Sequence, residues 1–412
     1  MSSLDNQLLP ELPQGWQTIP VRYLSECLDG KRIPLNVDER ASRKGDYPYW
    51  GANGIVDYVD DYLFDEILVL LGEDGAPFFD KNKPVAFVVD NKIWVNNHIH
   101  VLKIKPGYDA RYIAYCLNVT DYGPWIEGST RDKLTQDKLK SILVPCPDIE
   151  KQSRVSDFLD KETTHFDALI GAKEKLLALL AEKRRSLIAA AVTRGINPKV
   201  QMKDSGIPWL GSVPEHWNIE RSKWLFKERD IRSEFGDEEM LTVSHLTGVT
   251  TRAEKSVNMF MAESQEGSKI CEAGDLVINT LWAWMGAMGV SPQRGIVSPA
   301  YNVYEPGDRL EKAYLDYLVR IPVFAQEVIR YSKGVWSSRL RLYPEGLYEI
   351  WFPVPPVEEQ RAIAEYLRTE IAKLDALQEA TDRTIALLRE RRTALIAAAV
   401  TGKLDIGEKD AS

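Results

Sequence analysis

A chain of 412 residues, 44% hydrophobic and 27% charged, has the apolar material for two to four folded regions and is not the composition of a disordered polypeptide. Its four cysteines, Cys27, Cys116, Cys146 and Cys271, include no CxxC pair, which argues against a disulfide framework or zinc ribbon; they read as ordinary buried thiols. The net charge of −9 argues against a nucleic-acid partner only if charge is evenly spread, because phosphate attraction acts over about 8–10 Å and local clusters dominate.

The start, MSSLDNQLLPELPQGW, lacks a charged segment followed by an apolar stretch, and apolar runs such as 67–71 are too short to span a bilayer, so a soluble, cytoplasmic chain is expected. Residues 16–144 are rich in Trp, Tyr, Val, Gly and Asn, with alternating runs such as KPVAFVVDNKIWVNN, and predict a mixed α/β domain dominated by strands and turns. A basic cluster, Lys31, Arg32, Arg40, Arg43 and Lys44, is diluted by acids. Asn53 in GANG is either a base-reading amide or part of a tight turn. Trp94, Asn96, Asn97 and His98 predict a strand with a hydrogen-bonded core; His98 and His100 flank Ile99 on one side of it, and without a nearby Cys or third His no metal site is expected. Asp90, Asn91 and Lys92 predict a hairpin turn. The loop EGSTRDKLTQDKL offers Gly128, Ser129, Thr130, Arg131 and Lys133: small residues let the backbone approach phosphate and the cations neutralise it, unless the loop is a plain turn capping a helix.

A long helix follows. Leu159, Phe166, Leu180 and Leu187 fall seven or fourteen apart, with Leu169 and Leu176 at the intermediate position and Lys173 interrupting the stripe. No proline occurs from 150 to 196, and 159–192 alone would run about 50 Å at 1.5 Å per residue. The next segment, 217–352, is again strand-rich and carries VIRYSKGVWSSRLRLYP, in which Arg330, Lys333, Arg339 and Arg341 alternate with Tyr331, Trp336 and Tyr343 and no carboxylate intervenes; Ser338 lies in the same loop. A second helix then places Leu367, Leu374, Leu388 and Leu395 at heptad spacing, with Leu377 between and Thr381 as the interruption. The two helical segments are copies: 145–193 repeats at 353–401 with an offset of 208, no gap and 22 identities in 49 positions. The globular segments share almost nothing beyond their edges. The cheapest partner for each apolar stripe is the other copy, antiparallel if a two-fold relates the repeats.

The linker MKDSGIPWLGSVPEHW at 202–217, the PVPPVEEQ motif at 353–360 and the ending AAAVTGKLD, together with PQGW, YWGANGIVDY, LLGEDG and WVNNHIHVL in the first half, resemble the specificity subunit of type I restriction-modification systems along the whole chain. The first copy of the motif, PCPDIEKQ, departs from the usual PxPPxxEQ form through Asp148 and Lys151, which bears on how the first helix docks. The resemblance implies an α+β fold: two globular mixed α/β target recognition domains, 1–145 and 202–352, separated by spacer regions 146–201 and 353–412 whose helices form an antiparallel coiled coil with pseudo-two-fold symmetry. It further implies that each domain reads half of a bipartite double-stranded DNA target and that the helices act as a ruler. Two modification subunits would supply S-adenosylmethionine and adenine methylation, and motor-nuclease subunits would use ATP and Mg²⁺; this chain itself would hold no cofactor.

An amino-methyltransferase tetrapeptide (NPPF or DPPY) and a GxxxxGK[ST] phosphate cradle are both missing from the sequence, and Asp80, Asp90 and Lys92 are only a loose nuclease-like spacing. The reading is therefore a non-catalytic DNA-recognition chain. Its rival is an adapter whose helices only join other proteins.

Overall fold

The computed structural model of the chain describes residues 11–126, 132–252, 265–334 and 340–407. Contacts divide it into two compact units, Met1–Lys175 with Thr381–Ser412, and Leu176–Ala380. Each unit thus holds one globular domain and a stretch of both long helices.

The first domain contains β1 (Gln17–Pro20), α1 (Val21–Leu24), β2 (Ser25–Cys27), α2 (Val37–Ser42), β3 (Lys44–Gly51), β4 (Gly54–Val59), β5 (Phe64–Asp65), β6 (Leu68–Gly72), β7 (Ala86–Val89), β8 (Lys92–Val95), β9 (Ile99–Ile104), α3 (Ala110–Val119), α4 (Gln136–Ser141) and β10 (Leu143–Cys146), and leads into the helix α5 (Ile149–Arg194). One four-stranded sheet runs β2-β9-β6-β7 and another β4-β3-β8-β5. The uninterrupted run LVLLG of β6 is explained by burial on both faces. Leu68 and Leu70 pack with Phe64, Ile93 and Val95, while Val69 and Leu71 pack with Leu102, Ile113 and Leu117, so neither face meets water. The expected hairpin at Asp90–Lys92 is instead a crossover: β7 pairs with β6 and β8 with β3 and β5, so the turn connects two different sheets.

The second domain holds β11 (Met202–Asp204), β12 (Ser212–Pro214), β13 (Asn218–Arg221), β14 (Phe226–Glu228), β15 (Leu241–Ser244), β16 (Gly248–Thr251), β17 (Lys269–Cys271), β18 (Leu276–Asn279), β19 (Met288–Val290), β20 (Gly295–Val297), β21 (Tyr301–Pro306), α6 (Lys312–Val319), α7 (Pro322–Tyr331), α8 (Pro344–Glu349) and β22 (Trp351–Val354), and precedes α9 (Val357–Val400). Its four-stranded sheet runs β14-β21-β18-β19. The repeated frame is visible at the base of each domain: β1 pairs antiparallel with β10, and β13 pairs antiparallel with β22, so the strand after each Trp16- or Trp217-containing turn closes on the strand before each long helix.

At 46 and 44 residues, α5 and α9 would each run roughly 65–70 Å. Within the first unit Glu174 pairs with Arg389 at 2.7 Å and Asp167 with Arg392 at 2.9 Å. Within the second, Arg184 pairs with Asp375, and a Cβ on Gly195 would stand 3.3 Å from Glu359. Partners on one helix climb as those on the other descend, which is antiparallel pairing in both units. Leu159, Leu180 and Leu367 are buried, and Phe166, Leu187, Leu374, Leu388 and Leu395 are partly buried, along the expected main column.

The second column is corrected. Leu169 and Leu377 are 44% and 46% exposed and Leu176 only partly buried; the seam instead runs through Thr163, Ile170, Ile371 and Ile385. Thr381 interrupts nothing and is buried in the seam. Positions i+3 and i+4 from a column flank it on opposite sides, and the partner helix covers only one flank. Thr163 fits because its hydroxyl donates to the Leu159 carbonyl at 2.6 Å.

Candidate nucleic-acid interface

In the first domain the cations separate into tethered and free. Arg32 is not a free cation: its guanidinium donates to Glu73 Oε2 at 2.6 Å and to the Ile99 carbonyl at 2.9 Å, and its side chain is 15% exposed. Arg40 donates to the Leu35 carbonyl, pairs with Asp57 and lies 5.2 Å from the Tyr49 ring centroid. Arg43 pairs with Asp60 at 2.9 Å and stacks 4.6 Å from the Trp94 ring centroid. Lys44 is exposed with its ammonium 2.7 Å from Asp57, and Lys31 is exposed without an ion-pair partner among the described residues. Lys133, half exposed, reaches Glu73 at 3.3 Å. Ser129, Thr130 and Arg131 lie outside the described residues, as does Gly128.

Asn53 occupies the two-residue turn of the β3–β4 hairpin, where Gly51 pairs with Gly54, and its Nδ2 donates to the Gly75 carbonyl at 3.3 Å. The turn therefore stands beside the segment Asp132–Lys133, since the Gly75 N–H donates to the Asp132 carbonyl. Val56 is bulged out of this hairpin and 58% exposed. A two-stranded ribbon of this kind fits a DNA major groove.

Beneath the hairpin lies a buried cluster. Asp29 Oδ2 is 2.6 Å from His100 Nδ1, Asp29 Oδ1 accepts from the Val101 N–H, and His100 Nε2 is 2.8 Å from the Leu134 carbonyl. Ligand atoms of Asp29, Glu73 and His100 lie within 4.8 Å of one another. Both imidazole nitrogens already face oxygen, however, and Arg32 and Lys133 neutralise the two carboxylates, so the set is complete as an ion-pair cluster without a cation. Burial pushes the Asp29 carboxyl up, but the hydrogen bond and charge of His100, the Val101 N–H and Arg32 outweigh it and hold the group at about 2. A carboxyl whose folded pKa lies below its unfolded value stabilises the fold at neutral pH, and that contribution is lost as pH falls through the folded value. We expect Asp29→Asn to cost about 2 kcal/mol at pH 7. In urea unfolding at a series of pH values the difference from wild type should close between roughly pH 4 and 2; a difference that persists on acidification would mean the charge on Asp29 is not its source.

In the second domain Lys333 and Arg341 form an isolated antiparallel bridge, exchanging both backbone hydrogen bonds at 2.9 Å, and both are exposed without an ion-pair partner among the described residues. Trp336, Ser338 and Arg339 lie outside the described residues. Arg330 is 58% exposed and pairs with Glu327 at 3.0 Å. The Leu342 N–H donates to the Thr280 carbonyl, which sets the Lys333–Arg341 bridge near a concavity of about 630 Å³ lined by His245, Asn279, Trp282, Met285 and Tyr301. Trp282 is half exposed, and Asn279 Nδ2 donates to the Tyr301 hydroxyl.

The sequence reading missed the residues that dock each domain to the helices. Gln152 and Gln360, the identical glutamines of PCPDIEKQ and PVPPVEEQ, are fully buried. Gln152 accepts from the Asp109 N–H and donates to the Pro147 carbonyl; Gln360 accepts from the Glu311 N–H and donates to the Pro355 and Arg309 carbonyls. Asp109 and Glu311 in turn cap α3 and α6. The same helices carry Tyr112 and Tyr314, whose hydroxyls donate to the Val400 and Val192 carbonyls near the C-terminal ends of α9 and α5. The Asp148 and Lys151 departures leave this docking intact. Cys116, Cys146 and Cys271 are buried free thiols, and Cys27 is half-buried beside Gln136. Among the described residues no helix is long and apolar enough to cross a membrane.

Residues 13–178 match the type I restriction modification DNA specificity domain. A Haemophilus influenzae protein named as a type I restriction enzyme specificity subunit is 33% identical over 144 residues, 35% of this chain and 36% of that protein; the chain thus aligns with about a third of that relative. The MjaVIII specificity subunit of Methanocaldococcus jannaschii is 21% identical over 96% of this chain and 94% of its own length. Among solved structures, a type I restriction-modification chain described for complex assembly and conformational transition superposes with a TM-score of 0.63 at 15% identity, covering 96% of this chain and all of that one. The HsdS subunit of Thermoanaerobacter tengcongensis gives 0.50 at 16% identity, covering 96% and 99%. With its own duplicated frame, paired helices and two dissimilar domains, the chain is similar along nearly its whole length to specificity subunits of type I restriction-modification systems.

Proposed function

We propose that this chain is the DNA sequence-recognition subunit of a type I restriction-modification complex, without catalysis of its own, acting in the cytoplasm. Two target recognition domains, 1–145 and 202–352, each read one half of a bipartite site, and the spacer regions 146–201 and 353–412 fix the gap between them. The observation that carries the reading is the duplicated docking frame: the same buried glutamine, capped helix and tyrosine hold two domains of unrelated sequence, each with exposed cations.

The exposed cations Lys31, Lys44, Lys133, Lys333 and Arg341 are assigned to phosphates, where they fix position without reading sequence. Asn53 and the exposed ribbon around it are assigned to base edges in the first half-site, and the Trp282 concavity to the second, with Trp336, Ser338 and Arg339 proposed to contribute there as well. Two modification subunits would carry S-adenosylmethionine and methylate adenine, and motor-nuclease subunits would carry ATP and Mg²⁺. Leucines exposed on the long helices, Leu169 and Leu387 in the first unit and Leu179 and Leu377 in the second, support docking of such partners.

The test is a genome-wide map of N6-methyladenine in cells expressing the chain with its modification subunit, against the subunit alone. A bipartite motif with a fixed gap should appear only with this chain. Arg341→Ala should weaken DNA binding about equally on cognate and mismatched sequences and lower the salt slope of DNA binding by about one. Absence of a new motif from an assembled, S-adenosylmethionine-competent complex would favour the adapter.

A further inference from the structure

We propose that the buried cluster centred on His100 is a positioning device for the first reading head, setting the β3–β4 hairpin turn against the chain segment Asp132–Leu134 with its exposed Lys133. The inference rests on the DNA-recognition reading above and assigns roles to residues that do not themselves touch DNA.

The bonds form one continuous path from core to surface. His100, 1% exposed, sits on β9 between Asp29 and the Leu134 carbonyl. Its Nε2 faces that carbonyl at 2.8 Å and its Nδ1 faces the Asp29 carboxylate at 2.6 Å. From Leu134 the path runs through its N–H to the Glu73 carbonyl at 2.7 Å, and from the Asp132 carbonyl to the Gly75 N–H at 3.0 Å. The Gly75 carbonyl then receives the Asn53 side chain at the hairpin turn. Glu73 adds a charged tie by holding Arg32 on the core side and Lys133 on the loop side. A surface turn such as that at Asn53 otherwise samples many conformations, and holding it in advance removes that ordering cost from the binding step. Discrimination between bases needs donors held in place, because a loose loop lets a mismatched base find a compromise geometry.

Two substitutions separate the ends of the device. The amide nitrogen of asparagine can take the place of Nδ1 and that of glutamine the place of Nε2. His100→Asn therefore keeps the Asp29 contact and cuts the loop tether, whereas His100→Gln keeps the tether and loses Asp29. In the assembled complex with its modification subunit, methylation rates are compared on cognate DNA and on DNA with one mismatch in either half-site. His100→Asn should reduce the preference for the cognate first half-site by about tenfold, of the order of one mismatch penalty, with the second half-site and the gap unchanged. His100→Gln should retain most of that preference. Should His100→Asn fail to assemble, Glu73→Gln, which preserves volume and releases Lys133, carries the test and should relax the same half-site.

Unchanged first-half-site preference in the tether-cutting variant, or equal losses at both half-sites, would overturn the positioning role. A wild-type complex that is active but shows no bipartite preference would overturn the DNA-recognition reading itself, and the two failures are told apart in the same assay.

Discussion

A seven-residue, heptad-compatible block inserted into both long helices at facing positions, after Lys175 and before Thr381, should lengthen the gap in the methylated motif while leaving both half-sites unchanged. Seven residues add about 10.5 Å of helix, which at 3.4 Å per base pair bounds the increase at about three base pairs. The insertion lies where each helix passes from one compact unit to the other, so neither domain's docking frame is touched. Inserting in both helices keeps the seam in register: columns 159, 166, 173, 180 and 187 on α5 and 360, 367, 374, 381, 388 and 395 on α9 repeat every seven residues, and a block of seven restores the repeat. An insertion in one helix alone should also lengthen the gap, at the cost of an unpaired turn. Methylation mapping of the variant decides it. A motif with the original gap would remove the ruler role, and loss of both half-sites would mean that the domains do not read independently of the spacer.

How far the sequence predicted this molecule depends on which interactions are local. The heptad column through Leu159, Phe166 and Leu180 is a property of one helix, and it was legible. The choice between Leu169 and Ile170 as its neighbour depends on which flank the partner helix covers, and one helix cannot reveal that. Leucine was favoured by residue type, while the structure uses isoleucine and threonine. The cation at Arg32 was misjudged for a similar reason: one of its partners, Glu73, is 41 residues away and meets it only through the pairing of β6 with β9. Lys333 and Arg341, which bridge each other only eight residues apart, stand exposed as the acid-free sequence around them suggested. A usable signal for Gln152 and Gln360 did exist. A polar identity at the same register of two otherwise divergent copies, beside neighbours that differ as Lys151 and Glu359 do, marks a position under a shared structural demand.

That demand is strongest at Gln360, and Gln360→Leu should be among the most destabilising single changes in the second unit. Glutamine here supplies one acceptor and two donors to three backbone groups, the Glu311 N–H and the Pro355 and Arg309 carbonyls, in a site with no exposure to solvent. Leucine matches its volume closely but offers none of the three bonds. Leaving such buried groups unmet costs about 1–3 kcal/mol each, and because two of the three are only partly buried the expected total is roughly 3 kcal/mol. The loss should not stop at stability. Glu311 caps α6, which carries Tyr314 and its bond to the Val192 carbonyl, so loosening the cap frees the helix that anchors the second domain to the end of α5. Gln360→Glu separates these effects, since it retains the acceptor for Glu311 and loses the two donors. Thermal unfolding and half-site-resolved methylation of both variants test the scheme. Gln360→Leu should lower the melting temperature and blunt the second half-site before the first; Gln152→Leu should do the reverse. A melting temperature within a degree of wild type for Gln360→Leu would show that the domain is held to the helix by its apolar contacts alone.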